Sequence, residues 1–325
     1  MLIIRAALAL FVVIGLLAVP LDGQGQPATR LPTVGVLVTT VFTDDLRQAI
    51  REGLREHGYV ESQNIAIEWR AAEGRTDRAS TLAAELVRLN VDVIAAIQTP
   101  AVQAAQRATR TIPIVMAGAG DPVRSGFIAS LARPGGNITG VTGIPAELAG
   151  KHVGLLRQLL PGLSRLALLT YLADSFSISL TEQTQAAAKT SGIAVHVVSV
   201  RNVEELDRAF ATMAEQRDEA VIVQPIFTSS AGRIAQLGLR YRLPTISTQK
   251  EFVEAGGLLA YGASQLDLAR RGMFHVARVL RGAKAGDLPV EQPTNFHLLI
   301  NLKTARALDL ALPPSLLLQA DQVRE

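Results

Sequence analysis

The residues with the clearest chemical spacing are Gly118 and Gly120 in TIPIVMAGAGDPVRSG (111–126), where an apolar run opens into a glycine turn. A Gly-x-Gly turn at the end of a buried strand can cradle a phosphate. A dinucleotide fingerprint also needs a third glycine three residues on, so that the following helix comes close to the strand. Val123 stands there, after Pro122, and no strand ending in an acidic residue follows to hold a ribose hydroxyl. Other chemistries fail in similar ways. His57, His152, His196, His275 and His297 form no H-x-x-x-H pair, and cysteine is absent, which removes the usual zinc ligand sets, thiolate catalysis and disulfides together. No G-x-x-x-x-G-K-[ST] loop occurs, and the nearest approach to G-x-S-x-G, Gly262-Ala263-Ser264, lacks its second glycine. Asp44 and Asp45 are adjacent, so at a helix start they point apart and read as part of a helix N-terminus, not as a catalytic pair. Asn137-Ile138-Thr139 matches a glycosylation acceptor by spelling alone.

What could position such residues is an alternation, from Thr33 onward, of short β-branched runs with amphipathic segments, the pattern of parallel strands joined by crossover helices. Strands are expected at 34–39, 64–70, 91–98, 165–170, 194–200, 220–224 and 244–247. Helices are expected at 45–57, 77–90, from Thr99 onward, 178–191, 203–216, 232–241, 250–255 and 266–281. Leu82, Leu86 and Leu89 recur at helical spacing, and Thr99-Pro100 suits a cap followed by a first-turn proline. The fold class is α/β, with two doubly wound parallel-sheet lobes.

In open α/β sheets ligands bind beyond the carboxyl ends of the strands. Those ends read TTVFTDD, QTPA, AGAGDPV, TYLADSF, QPIFTSS and STQKEF, and GGLLAYGAS precedes the long helix. They supply hydroxyls, amides and aromatics without a nucleophile and base, which suits holding a small polar molecule and not transforming it. The candidate ligand-binding residues are Thr40, Phe42, Thr99, Pro100, Ala101, Asp121, Tyr171, Phe176, Gln224, Phe227, Tyr261 and Ser264. No catalytic residue, metal or cofactor is implied.

The chain starts with one cation, Arg5, an apolar run Ala6–Val19 and the breaker Pro20. Fourteen residues are too few to span a bilayer and fit a secretory leader over 1–26. Export to the periplasm is therefore expected, with no cysteine after the leader to carry a lipid. The formal charge of +3 is spread among 32 basic and 29 acidic residues without a basic run, so nucleic acid is not an expected partner.

Six blocks, including GLREHGYVESQNIAIEWRAAEGRTDR, TIPIVMAGAGDPVRSGFIASLARPGGNITG, LAGKHVGLLRQLLPGLSRLALL and DLPVEQPTNFHLLINLKTARALDL, closely resemble the ABC-transporter substrate-binding proteins that include the tryptophan/tyrosine type. The resemblance covers nearly the whole chain after the leader. It implies a type I periplasmic-binding fold with two lobes joined by three crossings, near Gly140–Gly143, Leu258–Tyr261 and Leu288–Pro293. Lobe 1 would comprise 31–141 plus 259–287, and lobe 2 would comprise 142–258 plus 288–325. It also implies a monomer that clamps a small molecule, such as an amino acid or other carboxylate, and delivers it to an ABC permease and its ATPase. Gln98 stands where the resemblance leads one to expect a small residue, often Gly. An α/β enzyme using a nucleotide cofactor and a ligand sensor for a membrane receptor are the alternatives.

For an amino-acid ligand, the first-turn amides of Ala101 and Val102 are the expected seat of the carboxylate, helped by the Thr99 hydroxyl. Asp121 is expected to take the ammonium, and Phe42, Tyr171 or Phe227 to cover the side chain.

Overall fold

The structure, a computed structural model, describes residues 30–144 and 147–325, and the expected leader lies outside the described residues. From Pro32 to Glu325 the chain forms one compact unit built on two sheets.

The first sheet takes β1 (Thr33–Val38), β2 (Ala66–Ala71), β3 (Val93–Ile97), β4 (Ile114–Gly120) and β5 (Ile138–Ile144) in the order β2-β1-β3-β4-β5, all parallel. Its crossover helices are α1 (Asp44–Arg55), α2 (Thr76–Arg88) and α3 (Thr99–Ala108). Thr43 caps α1, its hydroxyl accepting from the Leu46 amide at 3.2 Å, and Asp44 and Asp45 occupy the first turn, where the helix dipole favours acids. Parallel sheets need cover on both faces, and β1 shows the result: Val34, Val36 and Val38 enter one core with Leu46 and Ile50, while Leu37 enters the opposite core with Leu82 and Leu86.

The second sheet begins after α4 (Glu147–Leu159). It holds β6 (Arg165–Tyr171), β7 (Ala194–Val200), β8 (Ala220–Val223), β9 (Thr245–Ser247), β10 (Leu259–Gly262), β11 (His297–Asn301) and β12 (Gln322–Arg324), in the order β12-β11-β10-β9-β8-β6-β7. Only the β10–β11 pairing is antiparallel. Its helices are α5 (Phe176–Lys189), α6 (Leu206–Glu215), α7 (Ala231–Arg240) and the short α8 (Lys250–Glu254). Leu166 and Leu168 of β6 face one core with Leu155 and Leu156, and Ala167 and Leu169 face the other with Phe210 and Met213.

Helix α9 (Gln265–Leu280) follows β10 yet buries Met273 and Val276 against Val36 and Val93 of the first sheet, so the chain returns there before running on to β11. With the step from β5 to α4, this makes three passes between sheets. The third is tied to the first lobe before it leaves: Val290 N donates to Leu131 O, Glu291 N to Gly140 O at 2.9 Å, and Thr142 N to Glu291 O at 2.8 Å. Gly140 makes room for this arrangement. Its φ is +126°, and a Cβ there would lie 2.1 Å from the Met116 carbonyl. The division between lobes differs from the expected one at three places, the first being Leu288 and Val290, which are buried in the first lobe's cores. Leu259–Gly262 pairs with β9 and β11 in the second sheet, because the pass begins only at the Ala263-Ser264 turn after it. Thr142–Ile144 stays in the first sheet, paired to Ala119 and Gly120.

Candidate functional site

The carboxyl ends of the two sheets face each other across a cleft with two adjacent cavities. The inner one, about 30 Å³, is lined from the first lobe and α9 by Gln98, Thr99, Pro100, Gly118, Gly143 and Gln265 among others, and from the second by Asp174, Phe176, Gln224, Thr248 and Gln249. The outer one, about 460 Å³, is bounded by Thr39, Thr40, Glu73 and Arg75 on one side and by Tyr171, Asn202, Phe227 and Ser229 on the other. Ile226 lines both.

Asp174 is the principal charge of the inner cavity. It sits in the turn after β6 with 3% of its surface exposed. Its Oδ1 accepts from the Phe176 amide at 3.0 Å, and its Oδ2 accepts from Gln224 Nε2 at 2.7 Å. Gln224 itself is fixed because its Oε1 accepts from the Tyr171 amide at 2.8 Å. Burial pushes the carboxyl of Asp174 up to about 6, and the two hydrogen bonds offset only part of that. Among the described residues that line the inner cavity there is no cationic side chain to pair with Asp174.

On the first lobe the strand ends are held by neighbouring backbone. Gln98 precedes α3 with φ +71° and ψ 160°, and its Oε1 accepts from Thr39 Oγ1 at 2.9 Å. The Thr99 hydroxyl accepts from the Gly120 amide at 3.0 Å, tying α3 to the end of β4. Gly120 in turn lies under the Phe176 ring from the other lobe, where a Cβ would fall 2.4 Å from the nearest ring carbon. This close approach accounts for Gly120, which admits an aromatic ring, while Gly118 has φ +79° and faces the Gln265 side chain.

The expected residues separate into groups. Thr99, Pro100, Phe176 and Gln224 line the inner cavity, and Thr40, Tyr171 and Phe227 line the outer one, with the rings of Tyr171 and Phe227 edge-on at 6.2 Å. Ala101 is fully buried in the first-lobe core. Thr99 does not cap its own helix. Gln98 holds that position, and the Val102 amide is taken by the Gln98 carbonyl at 3.2 Å, which leaves the first-turn amides of Thr99 and Ala101 outside the helix ladder. Five residues, Ala101 among them, line neither cavity. Phe42 packs edge-on against Trp69 at 5.0 Å, beneath the Arg47 guanidinium. Asp121 reaches across to Ser179 of α5. Tyr261 stacks on Phe296 at 6.0 Å beside Pro293, and Ser264 caps α9 by accepting from the Asp267 amide at 3.3 Å. Asp174, Thr248, Gln249 and Gln265 were not among the expected residues. For Asp174 the signal was present in TYLADSF, an acid set among aromatics at a strand end.

A model of the ABC transporter substrate binding protein family matches residues 33–324. The chain is 26% identical to a tyrosine-binding protein of Clostridioides difficile over 292 residues, 89% of this chain and 84% of that one. Among solved structures, an ABC domain from Streptococcus pneumonia in complex with L-Trp is 28% identical with a TM-score of 0.83, covering 90% of this chain and 99% of that one. A conserved domain protein from Vibrio cholerae is 25% identical with a TM-score of 0.85, covering 91% and 100%. A glucose-galactose binding protein from Geobacillus stearothermophilus, at 13% identity and a TM-score of 0.61, shares the fold alone. The chain belongs to the family of ABC transporter substrate-binding proteins.

Proposed function

We propose that this binding protein captures an aromatic amino acid in the cleft and, after export through its leader, presents it as a monomer to an ABC permease and its ATPase in the periplasm. The observation that carries the ligand assignment is Asp174, a buried carboxylate fixed by Gln224 at the inner end of a cleft whose outer part is walled by Tyr171 and Phe227. The ligand ammonium pairs with Asp174. Its carboxylate lies toward the first turn of α3, where the amides of Thr99 and Ala101 and the helix dipole favour an anion. Its ring passes Ile226 into the outer cavity. About 30 Å³ is the room of roughly one or two waters, so entry requires the lobes to part and to close again on the ligand. The names of two relatives agree with this class of ligand: one is a tyrosine-binding protein and the other holds L-Trp. The nucleotide-cofactor alternative is set aside, since the family is one of binding proteins and the glycine turn receives Phe176.

The test is a thermal-shift and calorimetric series with L-tryptophan, L-tyrosine, L-phenylalanine, galactose and benzoate. A ligand at 100 times its Kd stabilises the fold by about 2.7 kcal/mol. Stabilisation by aromatic amino acids, lost in Asp174→Asn, is expected. A response to the sugar or benzoate alone would overturn the assignment.

A further inference from the structure

Asp121 stands at the turn that leaves β4, with φ +32°. Its own loop orients it: Oδ1 accepts from the Arg124 amide at 3.2 Å, and its carbonyl accepts from the Ser125 amide at 3.0 Å. That leaves Oδ2 facing α5 of the other lobe. There Gln183 Nε2 donates to Ser179 Oγ at 2.8 Å, and Ser179 Oγ donates its single hydrogen to Asp121 Oδ2 in a short hydrogen bond. Gln183 Nε2 also lies 3.4 Å from the same carboxylate oxygen. A serine hydroxyl has one proton, and a donor behind it orients that proton and strengthens the bond it makes. Phe176, Ser179 and Gln183 recur at i, i+3 and i+7, so they share one face of α5. The ring of Phe176 on Gly120 and the Ser179 hydroxyl on Asp121 therefore reach adjacent residues of the same first-lobe turn. Ser179 is 2% exposed.

We propose that this donor chain, Gln183 to Ser179 to Asp121, is a latch that holds the lobes together. It sets how long a ligand stays bound without touching the ligand, since none of the three residues lines either cavity. Asp121 is on this account a positioning residue acting through lobe closure. The neighbouring Arg124–Glu182 pair also crosses between lobes, but both side chains are about half exposed, and pairs of that kind contribute little.

The latch is tested on the full chain in two ways, one of which needs no ligand. Because the sequence has no cysteine, Arg110→Cys and Ala186→Cys, both at exposed positions, place a spin label on each lobe and on nothing else. In this background Ser179→Ala is expected to move the inter-label distance distribution toward longer separations, and Asp121→Asn to do so less. Asn keeps the loop bonds, tolerates the left-handed backbone that Ala would strain, and retains a neutral partner for Ser179. The double variant should add little to Ser179→Ala, as residues in one network are not additive, and Arg124→Ala should leave the distribution in place. With L-tryptophan as the probe, Ser179→Ala should speed dissociation roughly tenfold with little change in association. Unchanged distances in Ser179→Ala, with its circular dichroism and melting intact, overturn the latch. Failure of L-tryptophan to bind the unsubstituted protein counts against the ligand assignment alone, and the distance measurement still decides the latch.

Discussion

On the first lobe the inner cavity is reached chiefly by backbone and amides: Gly118 and Gly143 line it, Gly120 lies beneath a ring of the opposite lobe, and Gln98 and Thr99 bond to their own lobe. On the second lobe it is reached by longer side chains that already hold one another in place, Gln224 fixing Asp174 and Thr228 fixing Gln249. The difference is one of room. Parallel strands ending in glycine leave a concave rim, and strands followed by Asp, Phe, Gln and Tyr provide what fills it. At the inner cavity one lobe supplies shape and amides and the other supplies a carboxylate and a ring, whereas the outer cavity takes charged side chains, Glu73 and Arg75, from the first lobe.

The sharpest way to break this division is to give the bare rim a side chain. Gly120 has no positive φ, so Gly120→Ala strains no backbone within its own lobe, but its Cβ would meet Phe176 at 2.4 Å once the lobes close. The expected outcome is a first lobe of normal stability that cannot close fully. Affinity for L-tryptophan should fall about a hundredfold, in line with the cost of overpacking, and solution scattering should show a larger radius of gyration under saturating ligand. Unchanged affinity would mean that Phe176 turns aside freely.

Removing the charge from the other lobe comes next. Asp174→Asn should weaken binding tenfold or more, the loss expected for a charge-assisted bond. In the unsubstituted protein affinity should decline as pH falls through about 6, where Asp174 takes up its proton, and this decline should vanish in the variant. The linked effect on stability has the opposite sign. The carboxyl of Asp174 is raised from 3.8 to about 6, so the folded state binds the extra proton and gains stability as pH falls from about 6 toward 4. His152 is driven by burial from 6.5 down to about 4, so the unfolded state binds its proton first and stability is lost over much the same interval. His275, also lowered by burial, pushes the same way as His152. Asp174→Asn removes the compensating group, and its stability should fall more steeply on acidification than that of the unsubstituted protein, by about 2 kcal/mol between pH 6 and pH 4. Parallel melting curves for the two proteins would show that the fold leaves the carboxyl of Asp174 in the ordinary carboxylate range.

The asymmetry was only half legible in the sequence. Strands such as VIAAI and AVIV and the helices between them were readable because burial on both faces of a parallel sheet writes itself as short unbroken apolar runs. The glycine turn was readable as a place of close approach, though not what approaches it, since Phe176 lies 56 positions from Gly120 and on the other lobe. Asp174 escaped because an acid in a strand-end loop looks like any other until Gln224, fifty residues on, is seen to pin it and the cleft to bury it. Asp121 was read as a ligand contact because its place on the rim was visible and its partner, Ser179 on a distant helix, was not. Thr99 and Pro100 line the inner cavity, while the N-cap position is Gln98, whose side chain makes no capping bond, and the Thr99 hydroxyl accepts from the Gly120 amide.

The smallest effect concerns Gln98, where the first lobe presents a long side chain to the inner cavity on a backbone suited to glycine. A residue at φ +71°, ψ 160° lies in a region that L-residues avoid at a cost of about 1–3 kcal/mol. Its return is the bond from Thr39 Oγ1, worth about 1 kcal/mol. Gln98→Ala loses that bond and keeps the strain, so it should destabilise. Gln98→Gly loses the same bond, releases the strain and adds about 0.5–1 kcal/mol of backbone freedom to the unfolded chain, which leaves it near the unsubstituted protein. Glycine should therefore exceed alanine at this position by about 1 kcal/mol in urea unfolding, the reverse of their usual order in ordered backbone. If both variants bind L-tryptophan as the unsubstituted protein does, Gln98 only joins Thr39 to α3. A selective loss of affinity in both, at unchanged urea slope, would place its amide on the ligand and make it the first lobe's exception to a rim of bare backbone. An alanine variant as stable as the glycine one would show that the left-handed backbone at Gln98 is not strained, and the first lobe would then tolerate side chains where only glycine was thought to fit.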